Sequence, residues 1–316
     1  ATTSTSRVQV SGLTGVATIA AGSEHTAAVK TDGTVWTWGG NDYGQLGDGT
    51  ITDRSAPVQV SGLSGVASIA AYFHHTVAVK TDGTVWTWGW YTCNTSNTLG
   101  DGTLIYNSTS PVQVSGLTGV VSIAAGFAHT AVLKADGTVW SCGRNYYGQL
   151  GDGTVTASSA PVQVSGLSGV VSIAADRDHT VALKTDGTVW AWGSNYYGQL
   201  GDGTTIDRSS PVKVSGLSGV AAIAAGSLHT VALKTDGTVW AWGWNRDGQL
   251  GDGTVTASTT PVQVNGLAGV ASLAAGEYHT VVLMTDGTVR TWGYNYHGQL
   301  GDGKLFESLI PIPVAF

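Results

Sequence analysis

A pattern fifty residues long recurs six times along this chain, and that period limits the possible folds more than any other feature. Aligned on Pro-Val-Gln-Val and its variants, the units run 8–57, 58–111, 112–161, 162–211, 212–261 and 262–311. The second is four residues longer than the rest, and Ile312-Pro313-Val314-Ala315-Phe316 restarts the pattern. A unit of this size cannot bury enough apolar surface alone, so each must stack on its neighbours.

Each unit reads as four short strands. In the fourth, Val170-Val171-Ser172-Ile173-Ala174-Ala175 is small and apolar, and His179-Thr180-Val181-Ala182-Leu183-Lys184 follows. After the Asp186-Gly187 turn, Thr188-Val189-Trp190-Ala191-Trp192 alternates with period two, setting both indoles on one sheet face. Pro211-Val212-Lys213-Val214 makes the last strand. Composition agrees: 46 glycines and only 11% charged residues argue against helices, and 12 Trp with 11 Tyr suit a pleated surface. Four strands per unit fit one blade of a radial array. The expected fold is all-β, a β-propeller of six four-stranded blades forming a single domain, 1–316; seven blades is the alternative. The Ala-rich strand fits a crowded axis, and the Trp pairs fit the wider space between blades.

The terminal count bears on closure. The first three strands occur six times and the fourth seven times, from Val8-Gln9-Val10 to Ile312-Pro313-Val314. Pro311 and Pro313 remove two backbone donors from the C-terminal copy, which suits an edge. The N-terminal copy is therefore expected to complete the last blade beside Thr288-Val289-Arg290-Thr291-Trp292.

The chemistry-bearing residues mostly belong to the architecture. The net charge is −7, yet twelve of the 21 acids lie in Asp-Gly pairs that recur twice per unit, which is turn chemistry. No basic cluster exists, so nucleic-acid binding is not expected. No apolar run reaches the length of a membrane span, so membrane insertion is not expected either. His25, His75, His129, His179, His229 and His279 recur in register; a catalytic site needs one constellation, whereas six copies indicate a structural hydrogen bond to the following Thr or nearby backbone. His74 and His297 stand outside the pattern with no ligand set around them, and each Gly-Asp-Gly-Thr loop offers one carboxylate where calcium wants several oxygens. No glycine loop joins a strand to a helix, and no serine sits in a nucleophile elbow. The reading is a non-enzymatic protein without metal or cofactor.

Two cysteines occur. Cys142 replaces the second Trp of the third unit, and Cys93 lies where the second unit carries its extra residues. Their appearance in adjacent units suggests one inter-blade disulfide, Cys93–Cys142; two unrelated buried thiols is the alternative. A bridge, with the small polar opening Ala1-Thr2-Thr3-Ser4-Thr5-Ser6, would fit a secreted or cell-surface location.

Positions identical in every unit serve the architecture, and two segments diverge. The one before His-Thr supplies Glu24, Tyr72, Phe73, His74, Phe127, Asp176, Arg177, Asp178 and Tyr278. The one after Trp-Gly supplies Asp42, Tyr43, Trp90, Tyr91, Arg144, Tyr146, Tyr196, Trp244, Arg246, Tyr294 and Tyr296. In an up-and-down blade both loops fall at one end and the Asp-Gly hairpin at the other. A scaffold-held face rich in Tyr, Trp, Arg and Asp is expected to bind a protein or a cell-surface ligand. An adhesive or structural role for the same face is the alternative.

Ile-Ala-Ala-Gly-x-x-His-Thr, Asp-Gly-Thr-Val-Trp-x-Trp-Gly and Asn-x-Tyr-Gly-Gln-Leu-Gly-Asp-Gly-Thr resemble the repeats of the regulator of chromosome condensation family over nearly the whole chain. Members are commonly seven-bladed propellers. The face is similar to that of the secreted bacterial type, the propeller-type β-lactamase inhibitory proteins, which implies target binding through aromatic and acidic loop residues. Exchange-factor and light-sensing roles found in the family are less well matched: no basic tail is present, and no segment before His-Thr carries Trp.

Overall fold

In the computed structural model, residues 9–90 and 107–314 are described. They form six four-stranded antiparallel sheets, with no helix among them. Each sheet takes four consecutive strands, paired in sequence order, as the blades of a β-propeller. The chain divides into two compact units. One comprises 1–136, 140–144 and 156–162; the other comprises 137–139, 145–155 and 163–316.

The fourth blade shows why the repeat folds as it does. Its strands are Val170–Asp176, His179–Lys184, Val189–Gly193 and Arg208–Lys213. Strands two and three meet at a tight turn where Gly187 takes φ 74°, a left-handed conformation that glycine adopts without strain. Asp186 Oδ1 accepts from the Thr188 amide at 3.0 Å and from its hydroxyl at 2.6 Å, holding the turn closed. Those hydrogen bonds, which favour the anion, lower the Asp186 pKa. The Thr188 oxygen also accepts from the Trp190 indole at 3.2 Å, and Lys184 lies 5.7 Å from that ring's centroid.

In the second, fourth and fifth blades the two indoles of the third strand have different surroundings. Trp190 and Trp240 are half-buried, whereas Trp88, Trp192, Trp242 and Trp292 are fully enclosed. Trp88, Trp242 and Trp292 each belong to a core shared by consecutive sheets. Trp242 packs with Val181, Leu183 and Val189 of the fourth blade and Val220 of its own. In the first unit Trp88 packs with Ala27, Val29, Val35 and Val66. Burying such a ring contributes roughly 2–3 kcal/mol, so the inter-sheet cores supply much of the cohesion. First strands of consecutive blades also lie against each other within each unit, where their small side chains allow close approach.

Polar links run between blades alongside the apolar core. His25 Nε2 lies 2.8 Å from Thr76 Oγ1 of the next blade, and that hydroxyl donates to the Gln45 carbonyl at 3.0 Å. The same carbonyl accepts the Trp88 indole N–H at 2.9 Å. His179–Thr230–Gln199–Trp242 and His229–Thr280–Gln249–Trp292 repeat the arrangement. Thr has one proton and gives it to the carbonyl, so the imidazole must donate from Nε2, and burial, which lowers its pKa, keeps it neutral. The histidine's partner is thus the Thr of the following blade, and the expectation of a bond to its own Thr is corrected. One link is missing: His75 Nε2 and Thr130 Oγ1 have no partner, and the His75 ring instead hydrogen-bonds the Tyr72 backbone.

The C-terminal copy of the fourth strand, not the N-terminal one, completes the last blade. Ser308–Pro313 pairs with Val289–Gly293 through Arg290↔Pro313, Thr291↔Ile312 and Gly293↔Ser308. Residues 1–8 lie outside the described residues, and Gln9 and Val10 form no strand. The physical reason is the position of proline in every blade. The fourth strand is always an edge, paired only to the third, so Pro57, Pro161, Pro211 and Pro261 are accommodated as readily as Pro311.

Candidate functional site

Backbone hydrogen bonds pin the two divergent segments of each blade to one another. The Gly40 amide donates to Glu24 O at 2.7 Å, Trp90 to His74 O at 2.8 Å, and Ser194 to Asp178 O at 2.8 Å. Trp244 to Leu228 O and Tyr294 to Tyr278 O follow, both at 2.9 Å. The crossing is tight. A Cβ on Gly193, at φ 102°, would lie 2.4 Å from the Asp178 carbonyl, so the glycine after Trp-x-Trp lets the two loops meet. The loops after strands one and three therefore share one end of each blade, and the Asp-Gly hairpins occupy the other.

In the first unit five rings gather there. Phe73 lies 4.0 Å from His74, 4.5 Å from Phe127 and 5.7 Å from Trp90, centroid to centroid. Tyr43 stacks on His74 at 4.7 Å and meets Trp90 at 5.4 Å. The Arg144 guanidinium stands 5.9 Å from the Phe127 centroid. His74 Nδ1 lies 3.8 Å from Glu24 Oε2, but burial outweighs Glu24 and Asp42 and lowers the imidazole pKa. Phe73 has φ 49°, the one left-handed non-glycine conformation among the described residues. A bulky residue held there is strained by about 1–3 kcal/mol, and such strain collects at functional sites.

In the second unit the rings form two groups beside two clefts. Tyr197 contacts Tyr196 at 4.7 Å and Trp244 at 4.4 Å, next to a cleft of about 290 Å³. Arg177, Asp178 and Asp207 share that cleft, and Gln149 Nε2 donates to Asp178 at 3.0 Å. Tyr294 contacts Tyr278 at 6.2 Å and Tyr296 at 5.0 Å beside a cleft of about 810 Å³. Arg246 lines it too.

Most of the residues marked by sequence divergence meet in these groups, and a few do not. Tyr91 and Cys93 lie outside the described residues. Cys142 is buried where other blades carry the enclosed Trp. Tyr146 is exposed and joins neither cleft. Asp176 is only 6% exposed and accepts from Ser227 Oγ at 3.0 Å and the Arg177 amide at 2.7 Å, so it braces the loop from within. Sequence reasoning missed Tyr197, Asp247, Glu277 and His297, which line the clefts from the same divergent segments. It also missed Glu307. The signal there is a third variable stretch, between Gly-Asp-Gly and the fourth strand, where Asp53 and Asp207 become a glutamate.

Known proteins share this frame. Ultraviolet-B receptor UVR8 of Arabidopsis thaliana is 34% identical over 137 residues, 43% of this chain but only 31% of the receptor. The human WBSCR16 structure superposes with a TM-score of 0.85 at 26% identity, covering 95% of this chain and 82% of that one. Yeast RCC1 (Prp20), solved bound to Kap60, gives 0.83 at 25% identity, covering 95% and 75%. The RCC1-like domain profile matches residues 2–315, and the chain belongs to the RCC1-like domain family.

Proposed function

We propose that this propeller is a non-enzymatic binding module, acting outside the cell or at its surface, that engages a partner protein through the loop face. The observation that carries the reading is the ring cluster around Phe73, built from divergent positions and held by a strained backbone. A fold seldom retains such strain for packing alone. Half-buried Trp and Tyr with Arg at the rim are the residue types that dominate interface energetics. Yeast RCC1, of the same fold, is itself solved bound to Kap60, which supports a protein-binding reading. The likeness to inhibitory propellers, drawn from the motifs, points the same way.

Alanine at Phe73, Trp90, Tyr196 and Trp244 tests the assignment. Each should weaken capture of the partner from the producing organism by about 2 kcal/mol, or roughly thirtyfold. Thr81→Glu and Thr185→Glu, on the hairpin side, should leave capture unchanged. Equal losses from both ends would refute the loop face, and binding of surface polysaccharide alone would favour the adhesive role.

We also propose the Cys93–Cys142 bridge. In the other blades the Trp at this position packs against the loop glycine of the preceding unit, as Trp88 does against Gly47 and Trp242 against Gly201. Position 142 therefore corresponds to a contact with the preceding unit's loop, the segment that carries Cys93. Closing about 50 residues should contribute ~3–4 kcal/mol. Thiol titration of the denatured, unreduced chain should find none; two thiols would exclude the bridge.

A further inference from the structure

The larger cleft of the second unit has a chemistry of its own. Trp244, Tyr278, Tyr294 and Tyr296 wall an open space of about 810 Å³. The rings do not stack and fill it. Tyr294 meets Tyr278 at 64° and Tyr296 at 70°, so the walls stand at angles around a cavity. Aromatic faces carry the negative part of the ring quadrupole, and several of them around one space attract a cation.

Carboxylates reinforce that preference. Asp247 and Glu277 line the cleft, and Glu307, in the variable stretch before the last strand, acts electrostatically on Asp247 and Tyr296 of its lining. Asp53 and Asp207, at the corresponding repeat position, each accept the backbone amide of a loop asparagine, at 2.8 and 2.7 Å. Glu307, longer by one methylene, opposes the charge of Tyr296, and Glu277 that of Tyr278. The acids thus sit beside the rings and charge the space. Their mutual effect is visible in the groups around it. Burial and then Glu307 raise the Asp247 pKa, burial and then Glu277 raise that of Tyr278, and Glu307 raises that of Tyr296. Arg246, exposed at the rim, offsets only part of this charge. In the neighbouring cleft, by contrast, Arg177 lies 3.8 Å from Asp178, so charge there is paired.

We propose that this cleft receives a lysine or arginine side chain of a partner protein, the alkyl stem lying along the rings and the cationic head facing Asp247, Glu277 and Glu307. The proposal rests on the loop-face binding reading and adds the chemistry of one contact.

Tetralysine titrated calorimetrically into the full chain, with tetra-(Nε-acetyl-lysine) as the neutral counterpart, tests it. Tetralysine should bind saturably, and acetylation should weaken it about tenfold. The pair Glu277→Gln and Glu307→Gln should lose about as much, as should Trp244→Ala, with Trp244→Phe recovering most of the binding. Asp32→Asn with Asp82→Asn removes the same charge from the hairpin turns, keeps the turn acceptors, and should leave affinity unchanged. Equal weakening by both carboxylate pairs would show mere attraction to the net charge of −7 and overturn the proposal. Absence of saturable binding at millimolar peptide would overturn it too. If partner capture still depends on Phe73 and Trp90 in that event, the loop-face reading stands and only this contact falls.

Discussion

Acidification from pH 7 to pH 5 should lower the melting temperature of this protein by on the order of 10 °C, well before its carboxylates protonate. The cause is the buried histidines between blades, three of them in the inter-blade links and His75 outside one. Burial, with neighbouring imidazoles adding repulsion, pushes His25 and His229 down to about 3. Burial alone pushes His179 to about 4, and it pushes His75 to about 4 against the Tyr72 hydrogen bond. Unfolded, the same rings titrate at 6.5. Between 6.5 and the folded values the unfolded chain binds more protons, so stability falls as pH falls across that window and levels off below it. At pH 5 each ring costs about 2 kcal/mol, and four together several kcal/mol. The turn aspartates act in a lower window. Asp32, Asp82, Asp186 and Asp286 have pKa values lowered by their Thr hydrogen bonds, so their contribution is present above the usual carboxylate value and disappears only below it. Melting curves between pH 7 and 5 therefore read the histidines, and His229→Gln should make the profile shallower. A melting temperature that is flat to pH 5 would contradict the neutral, buried assignment.

Trp242→Ala should destabilise the fold far more than Trp240→Ala, although the two indoles stand two residues apart on one strand. Trp242 is fully enclosed, its N–H reaches Gln199 O at 2.9 Å, and a Cβ on Gly201 would lie 2.7 Å from its indole nitrogen. Its removal leaves a cavity between sheets and strands a buried carbonyl acceptor, at about 3–5 kcal/mol. Trp240 is half-buried, donates to Thr238 Oγ1 at 3.1 Å, and has Lys234 5.9 Å from its ring centroid. Losing it should cost about 1 kcal/mol, since water can fill the space and solvate the partners. Chemical denaturation of both variants checks the ranking, and comparable losses would mean that the enclosed ring is not the inter-blade anchor.

These two predictions also mark where sequence is readable and where it is not. Strand pattern, turn positions and the shared face of the paired indoles follow from period-two alternation and from repetition, because both are local. The histidine's partner is not local. It lies 51 residues away, in the next blade, and depends on how consecutive sheets are staggered. The closing strand is misread because the two missing donors of Pro311 and Pro313 point to an outermost edge, and only the structure shows that every fourth strand is such an edge. Asp176 looks like a free surface acid in the sequence. Only the packed structure shows that Ser227 and the Arg177 amide use its carboxylate. Glu307 escapes notice for the opposite reason: its stretch lies outside the two segments that flank His-Thr and Trp-Gly, and its meaning appears only beside Tyr296.

The loop-face account is tested most directly by photo-crosslinking in the native setting. A benzophenone side chain replaces Tyr43 or Tyr196 at one end of the blades, or Thr81 or Thr185 at the other, in otherwise unaltered protein. Irradiation should yield one discrete protein adduct from Tyr43 and Tyr196 and none from the hairpin positions. Adducts from Thr81 or Thr185, with none from the loop positions, would place the binding surface on the wrong end and contradict the account.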